Sequence, residues 1–235
     1  MDIKEIGQMD LEAERRHWWI RTRFGYIDEA CELISNSPIK VLEFGSGTGQ
    51  NLWYLTQTQK SCQLTGIEPS LPDNFHVPWA NLKKSPDGNE RADLMLAMDV
   101  LEHIDDDVGA LKSWLPHLKS DGVVLITVPA FKWLWSNHDD LLEHKRRYTK
   151  EEVLNLAKAA GLTPVRLHYA FSFVLPLVWL VRKILGDSKK PSTDLRPPPL
   201  GVNALLTLFG KAERLLGEHG FWGSSVVGIF RKAHD

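Results

Sequence analysis

The run Ile39-Lys40-Val41-Leu42-Glu43-Phe44 reads as a buried strand, and it passes directly into Gly45-Ser46-Gly47-Thr48-Gly49. Glycines at alternate positions permit left-handed backbone and let the main chain approach a ligand where a Cβ would collide. In open α/β sheets such loops lie at the carboxyl ends of strands, where ligands bind. A second strand, Leu64-Thr65-Gly66-Ile67-Glu68, ends on a carboxylate. It lies about twenty residues beyond the loop, a separation that suits an acid accepting hydrogen bonds from both hydroxyls of a ribose. Together the two features imply a nucleoside-containing cofactor. The dinucleotide fingerprint Gly-x-Gly-x-x-Gly is not met, because Gly49 comes one position early. Glu43 at the head of the loop is also awkward for a pyrophosphate and acceptable for a cofactor carrying cationic groups.

Strands alternate with helices around this unit. Ile20, Phe24, Ile27, Cys31 and Ile34 recur at helical spacing, after Arg15-Arg16-His17-Trp18-Trp19. A helix is predicted from Asn51, a buried strand over Ala92 to Met98, and a helix capped by Asp105-Asp106-Asp107 with Val108, Leu111, Leu115 and Leu118 inward. Gly122 is expected to close that helix, with a strand over 123–128. Thr149 with Glu152 forms a capping box for a helix that runs to Gly161. The segment 69–89 shows no strand. Strands are predicted over 164–169 and 225–231. Between them lie an apolar stretch, a Pro-rich linker and a helix carrying Leu205, Leu208, Phe209, Ala212 and Leu215 on one face. The expected fold is an α/β, doubly wound, mostly parallel sheet of Rossmann-like type. It forms a single domain over 1–235, with an N-terminal helical lid (1–37) and a helical insertion (172–222) before the last strand.

Composition narrows the setting. A formal charge of −2 argues against general nucleic-acid binding. Cys31 and Cys62 do not form a disulfide framework, which fits a reducing, cytoplasmic setting. The apolar run at 170–181 is too short to span a bilayer and contains Pro176. It is expected either to bury against the inserted helix, to wall an acceptor pocket, or to make peripheral membrane contact.

Residues 43–49 resemble motif I of class I S-adenosylmethionine (SAM)-dependent methyltransferases, and Met98-Asp99-Val100-Leu101-Glu102-His103-Ile104 resembles their motif after the fourth strand. The resemblance covers roughly 40–128 and implies a seven-stranded sheet and SAM as cofactor. Carried over by position, it implies cofactor contacts from Glu43, Gly45, Ser46, Gly47, Glu68, Pro69, Asp99 and Val100. An acid touching the adenine amine has no clear counterpart; Asp87 and Glu90 are the candidates. His17-Trp18-Trp19, Val128-Pro129-Ala130-Phe131, Trp133-Leu134-Trp135, His138-Asp139 and His144-Lys145-Arg146-Arg147-Tyr148-Thr149 are similar to a bacterial methyltransferase subgroup. Its members are linked to glycan, lipid-carrier and small-molecule biosynthesis.

Methyl transfer to oxygen or nitrogen also requires the acceptor's proton to leave, and an imidazole suits that task. His103, His138 and His144 are the candidate bases. Trp19, Arg146, Arg147 and Tyr148 are candidate contacts for a small, anionic or partly lipophilic acceptor, the arginines as forked donors. Ordinary packing and solvated charge pairs are the competing readings for these residues. Neither Glu102-His103 with 105–107 nor His138-Asp139 with His144 has the histidine spacing of a helical zinc site, so no metal is expected. Alternatives to a methyltransferase are a noncatalytic SAM-binding partner subunit and an NAD(P)-dependent oxidoreductase.

Overall fold

The computed structural model describes residues 11–35, 37–58, 62–88, 91–176, 197–216 and 221–233. The first described elements are α1 (Leu11–Arg16) and α2 (Trp18–Cys31). Then β1 (Ile39–Phe44), α3 (Gln50–Thr58), β2 (Cys62–Ile67), β3 (Asn81–Lys83) and β4 (Ala92–Met98) build the first half of a sheet. The second half consists of α4 (Asp107–Trp114), β5 (Leu118–Pro129), α5 (Asn137–Leu141), α6 (Lys150–Ala159), β6 (Leu162–Ala170), α7 (Leu200–Leu216) and β7 (Ser225–Lys232). The sheet has seven strands in the order β3-β2-β1-β4-β5-β7-β6. Only β7 runs against its neighbours. The chain moves outward from β1 to β3 and then returns to the other side of β1 as β4. The carboxyl ends of β1 and β4 therefore flank a topological switch point, where open α/β sheets leave a crevice.

The centre of the sheet is dry. Every residue of β4 is buried, as expected for a strand covered on both faces. One face packs Leu42, Met95, Val124 and Phe230 against α4 and α6, and the other packs Val41, Leu94, Leu96 and Ile229 against α2 and α3. The helix starts follow the predicted caps. Asp106 accepts from the Gly109 amide, and Thr149 and Glu152 exchange the two bonds of a capping box.

Three expectations change. The segment 69–89 does contain a strand, β3, but it is three residues long and pairs only with β2. Its Asn-Leu-Lys sequence carries no alternation long enough to detect. Gly122 lies inside β5, because α4 ends at Trp114 and a short 3-10 turn leads into the strand. The third change concerns α7. Its apolar face points outward, with Leu205 52% and Leu208 62% exposed, while the polar Asn203 and Thr207 are buried. Asn203 explains the inversion: its amide donates to the Arg16 carbonyl and its carbonyl accepts from the Trp18 amide, so the polar edge is pinned to the start of α2. Glu213 accepts from the amides of Phe171 and Ser172, and Arg214 pairs with Glu29 of α2.

The apolar run at 170–181 divides accordingly. Ala170, Phe171 and Leu175 are buried, so this part is core rather than surface. Residues 177–181 lie outside the described residues, as does much of the predicted insertion. Among the described residues no helix is long and apolar enough to cross a membrane.

Candidate active site

The glycine loop turns sharply at the end of β1. Gly45, Gly47 and Gly49 all adopt positive φ, at 69°, 51° and 74°. A Cβ on Gly45 would lie 2.4 Å from the Val100 side chain, so the second residue beyond β4 leaves no room there. The loop is tied across the sheet: the Gly45 amide donates to the Ile67 carbonyl, and the Gly47 amide donates to Glu68 Oε2. Glu68 Oε1 accepts from the Ser70 amide, so this carboxylate also shapes the turn that follows β2. Pro69 is exposed within that turn.

Glu43 is almost fully buried beneath the loop. Its Oε1 accepts from Asn51 at 2.6 Å, and its Oε2 has no partner among the described residues. Burial pushes the Glu43 carboxyl up to about 7, against the Asn51 hydrogen bond and the nearby Arg23 charge. A buried, unpaired carboxylate oxygen of this kind is unfavourable unless a cation or donor meets it. Ser46 Oγ is likewise buried without a partner among the described residues.

Arg23, which the sequence reading did not single out, stands at the centre of this region. It pairs with Asp99 at 2.5 Å, and its guanidinium lies 4.4 Å from the centroid of the Trp19 ring. Asp99 follows β4 with φ of 53°, a left-handed conformation uncommon outside glycine. A signal for Arg23 exists in the sequence. It sits three residues after Ile20 and four before Ile27, inside the apolar stripe of α2. A buried arginine on such a stripe needs a carboxylate partner.

The described part of the N-terminal segment reaches the loop, and residues 1–10 of the expected lid lie outside the described residues. His17 caps α2 by accepting from the Trp19 amide, which gives the His-Trp-Trp motif a folding role. Arg15 lies over the Trp53 ring and donates to Gln50 beside the loop. Trp79 donates to the Gly49 carbonyl. Of the two adenine candidates, Asp87 is paired with Lys83 and Glu90 lies outside the described residues.

A second group forms beyond the carboxyl ends of β4 and β5. Glu102 and His103 lie on a 3-10 turn after β4, and the loop 142–149 folds back onto it through the Lys145 amide donating to the Glu102 carbonyl. This brings the His103 and His144 rings to 4.8 Å between centroids, edge to face. His144 Nδ1 meets Asp139 Oδ1 at 2.9 Å. Asp139 is fully buried and accepts a fork from Arg147, at 2.7 and 2.9 Å, and the Ser136 amide. Burial alone would raise the Asp139 carboxyl, but the bonds from His144 and Arg147 outweigh it and hold the group well below the usual carboxylate range. Glu102 contrasts with it. Burial, reinforced by Asp99, pushes its carboxyl well above the usual range, and neither oxygen has a partner among the described residues.

The candidate residues thus separate. His103 and His144 come together; His138 lies on the exposed side of α5. Arg146 bonds Asp107 and the Asp105 carbonyl, Arg147 also bonds the Ala130 carbonyl, and Tyr148 donates to Asp107. All three are turned into the framework. Trp19 faces Arg23.

A family model described as "Methyltransferase domain" matches residues 19–167. No curated protein sequence matches. Among solved structures, a chain from the complex of the Haloferax volcanii Trm112 methyltransferase activator with a methyltransferase aligns at TM-score 0.60 and 14% identity, covering 99% of this chain and 97% of that one. A Burkholderia thailandensis 1,6-didemethyltoxoflavin-N1-methyltransferase with bound 1,6-didemethyltoxoflavin and S-adenosylhomocysteine (SAH) aligns at 0.54 and 21% identity, covering 96% and 80%. A SAM-dependent methyltransferase from Archaeoglobus fulgidus aligns at 0.54 and 14%, covering 91% and 93%. At these identities the likeness concerns the fold.

Proposed function

Since the chain belongs to the methyltransferase-domain family, we propose that it transfers a methyl group from SAM to an oxygen or nitrogen of a small, partly lipophilic acceptor. The observation that carries the cofactor assignment is the buried, unpartnered Glu43 oxygen beneath three left-handed glycines. A cofactor with an ammonium and a sulfonium supplies the cation that this carboxylate lacks. When bound, SAM supplies an electrophilic methyl group on sulfur.

The chain's own residues then have separable tasks. With SAM bound, Glu43 would hold the ammonium and Arg23 the carboxylate of the amino-acid end. Glu68 offers its remaining acceptor capacity to ribose hydroxyls. Val100 and the glycine backbone shape the wall, and Trp19 with α1 excludes water from it. On the acceptor side, Asp139 bonds His144 Nδ1 and Arg147 holds Asp139. That orientation leaves His144 Nε2 to draw off the acceptor's proton. Arg147 and Tyr148 act as positioning residues, since the Arg147 fork is spent on Asp139 and the Tyr148 hydroxyl on Asp107.

The lipophilic character rests on the outward apolar face of α7 together with exposed Phe221 and Trp222. These residues give the molecule a face suited to peripheral contact with a lipid surface, where a lipid-carrier or similar intermediate would be met. Isothermal titration with SAM and SAH tests the cofactor assignment. Micromolar binding is expected, and no heat with either ligand at high micromolar concentration would remove the reading.

A further inference from the structure

Glu102, His103 and His144 come from two segments that are far apart in the chain, and each presents a ligand atom within 4.8 Å of the other two. A spacing argument along one helix does not reach such a set, because the third ligand arrives by the fold-back of the 142–149 loop. Three observations set the cluster apart from a chance meeting of polar groups. Glu102 is wholly buried, and both of its oxygens lack a partner among the described residues. An isolated carboxylate there costs several kcal/mol unless a positive charge or a donor meets it. His144 is backed by a buried carboxylate, Asp139, on Nδ1. That arrangement of carboxylate, imidazole and metal fixes the ring and leaves Nε2 as the ligand atom. Asp139 is in turn held by Arg147 and the Ser136 amide, so the outer layer is fully bonded.

We propose that Glu102, His103 and His144 form a binding site for one divalent transition metal ion. Two imidazoles and one carboxylate suit zinc, cobalt, iron or manganese, and they leave positions open for an acceptor oxygen. Tetrahedral bonds of about 2.0–2.2 Å to a central ion place donors roughly 3.3–3.6 Å apart, so side-chain shifts totalling up to about 1.5 Å close the set. The site rests on the methyltransferase reading above and gives His144 the other of two exclusive tasks: with Nε2 on the ion the ring no longer draws off the acceptor's proton, which an ion-bound hydroxyl loses instead. An acceptor hydroxyl bound to the ion would release its proton to solvent more readily. The oxygen would keep the electron pair that attacks the methyl carbon, while the carbon–sulfur pair stays on sulfur.

The test is a titration of the full chain, freed of metal by chelator and without cofactor, with Co²⁺ followed by visible absorption and with Zn²⁺ as competitor. One Co²⁺ per chain with a nitrogen-ligand absorption band, displaced by Zn²⁺, is expected. Glu102→Gln and His144→Gln should each weaken binding at least about tenfold, whereas His76→Gln, on the exposed surface, should leave it unchanged. Circular dichroism of each variant reports its fold, and a rise in wild-type Tm on adding Zn²⁺ gives a readout independent of the variants. Absence of a band and of any Tm shift would overturn the proposal. So would binding unaltered in folded Glu102→Gln and His144→Gln, because the ion would then sit elsewhere. SAH affinity measured on the same metal-free protein separates this failure from failure of the methyltransferase reading.

Discussion

At the scale of single residues, the role proposed for Glu43 would link folding to cofactor affinity with opposite signs. Its carboxyl is raised to about 7 in the folded chain. A raised group favours the fold most at low pH, and that contribution is lost as pH rises through the folded value. Ligand binding runs the other way, because an ammonium requires the ionised carboxylate. SAH affinity is therefore expected to increase several-fold between pH 6 and 8 in calorimetric titrations. Glu43→Gln should weaken binding and flatten that profile; a wild-type profile flat over the same range would rule out this role. Gly45 gives a steric counterpart. A valine there meets both a φ of 69° and the Val100 side chain. The left-handed conformation alone costs roughly 1–2 kcal/mol. Gly45→Val should lower Tm by a few degrees and abolish SAH binding, and retained affinity would contradict the loop assignment.

Among the elements, the 136–149 loop shows how a surface segment becomes a rigid wall. Asp139 gathers His144, Arg147 and the Ser136 amide, and Tyr148 and Arg146 converge on Asp107 at the start of α4. Removing one partner of a buried ion pair leaves the other charged and unpaired, typically at 3–5 kcal/mol. Asp139→Asn should lower stability to urea by an amount of this order and reduce turnover further than it raises KM. A variant as stable and as active as the parent would show that the Arg147 fork contributes nothing. The capping box of α6 allows a milder comparison. Thr149→Ala should cost about 1 kcal/mol in the same denaturation assay and leave SAH affinity intact.

For the whole molecule, α7 separates stability from surface. Its buried Asn203 joins it to α2, and its outward leucines touch little. The double variant Leu205→Asp with Leu208→Asp should leave Tm within about 2 °C, since exposed substitutions usually fall within about ±0.5 kcal/mol. It should also reduce co-flotation with anionic liposomes. Equal flotation of parent and variant would dismiss the lipid-facing role of this face.

Much of this architecture could be read along the chain. The strand before Gly45, the carboxylate after β2, the all-apolar β4 and the Thr149 capping box are local patterns. Local patterns are set by backbone sterics and by the period of hydrophobic residues, which act over a few positions. So the α/β alternation and the ligand-approaching loop were determined by sequence alone. Other features depend on distances across the fold. Only the sheet order places Arg23 of α2 against Asp99 after β4. Only the fold-back at Lys145 brings His144 to Glu102 and His103 while His138 stays outside. The same holds for Arg147 and Tyr148, whose donors were free to serve an acceptor until Asp139 and Asp107 came within reach, and for α7, where the apolar stripe was legible but its direction was not. A periodic pattern identifies a face, whereas hydrogen bonds such as those of Asn203, formed between segments far apart in the chain, decide which way that face turns.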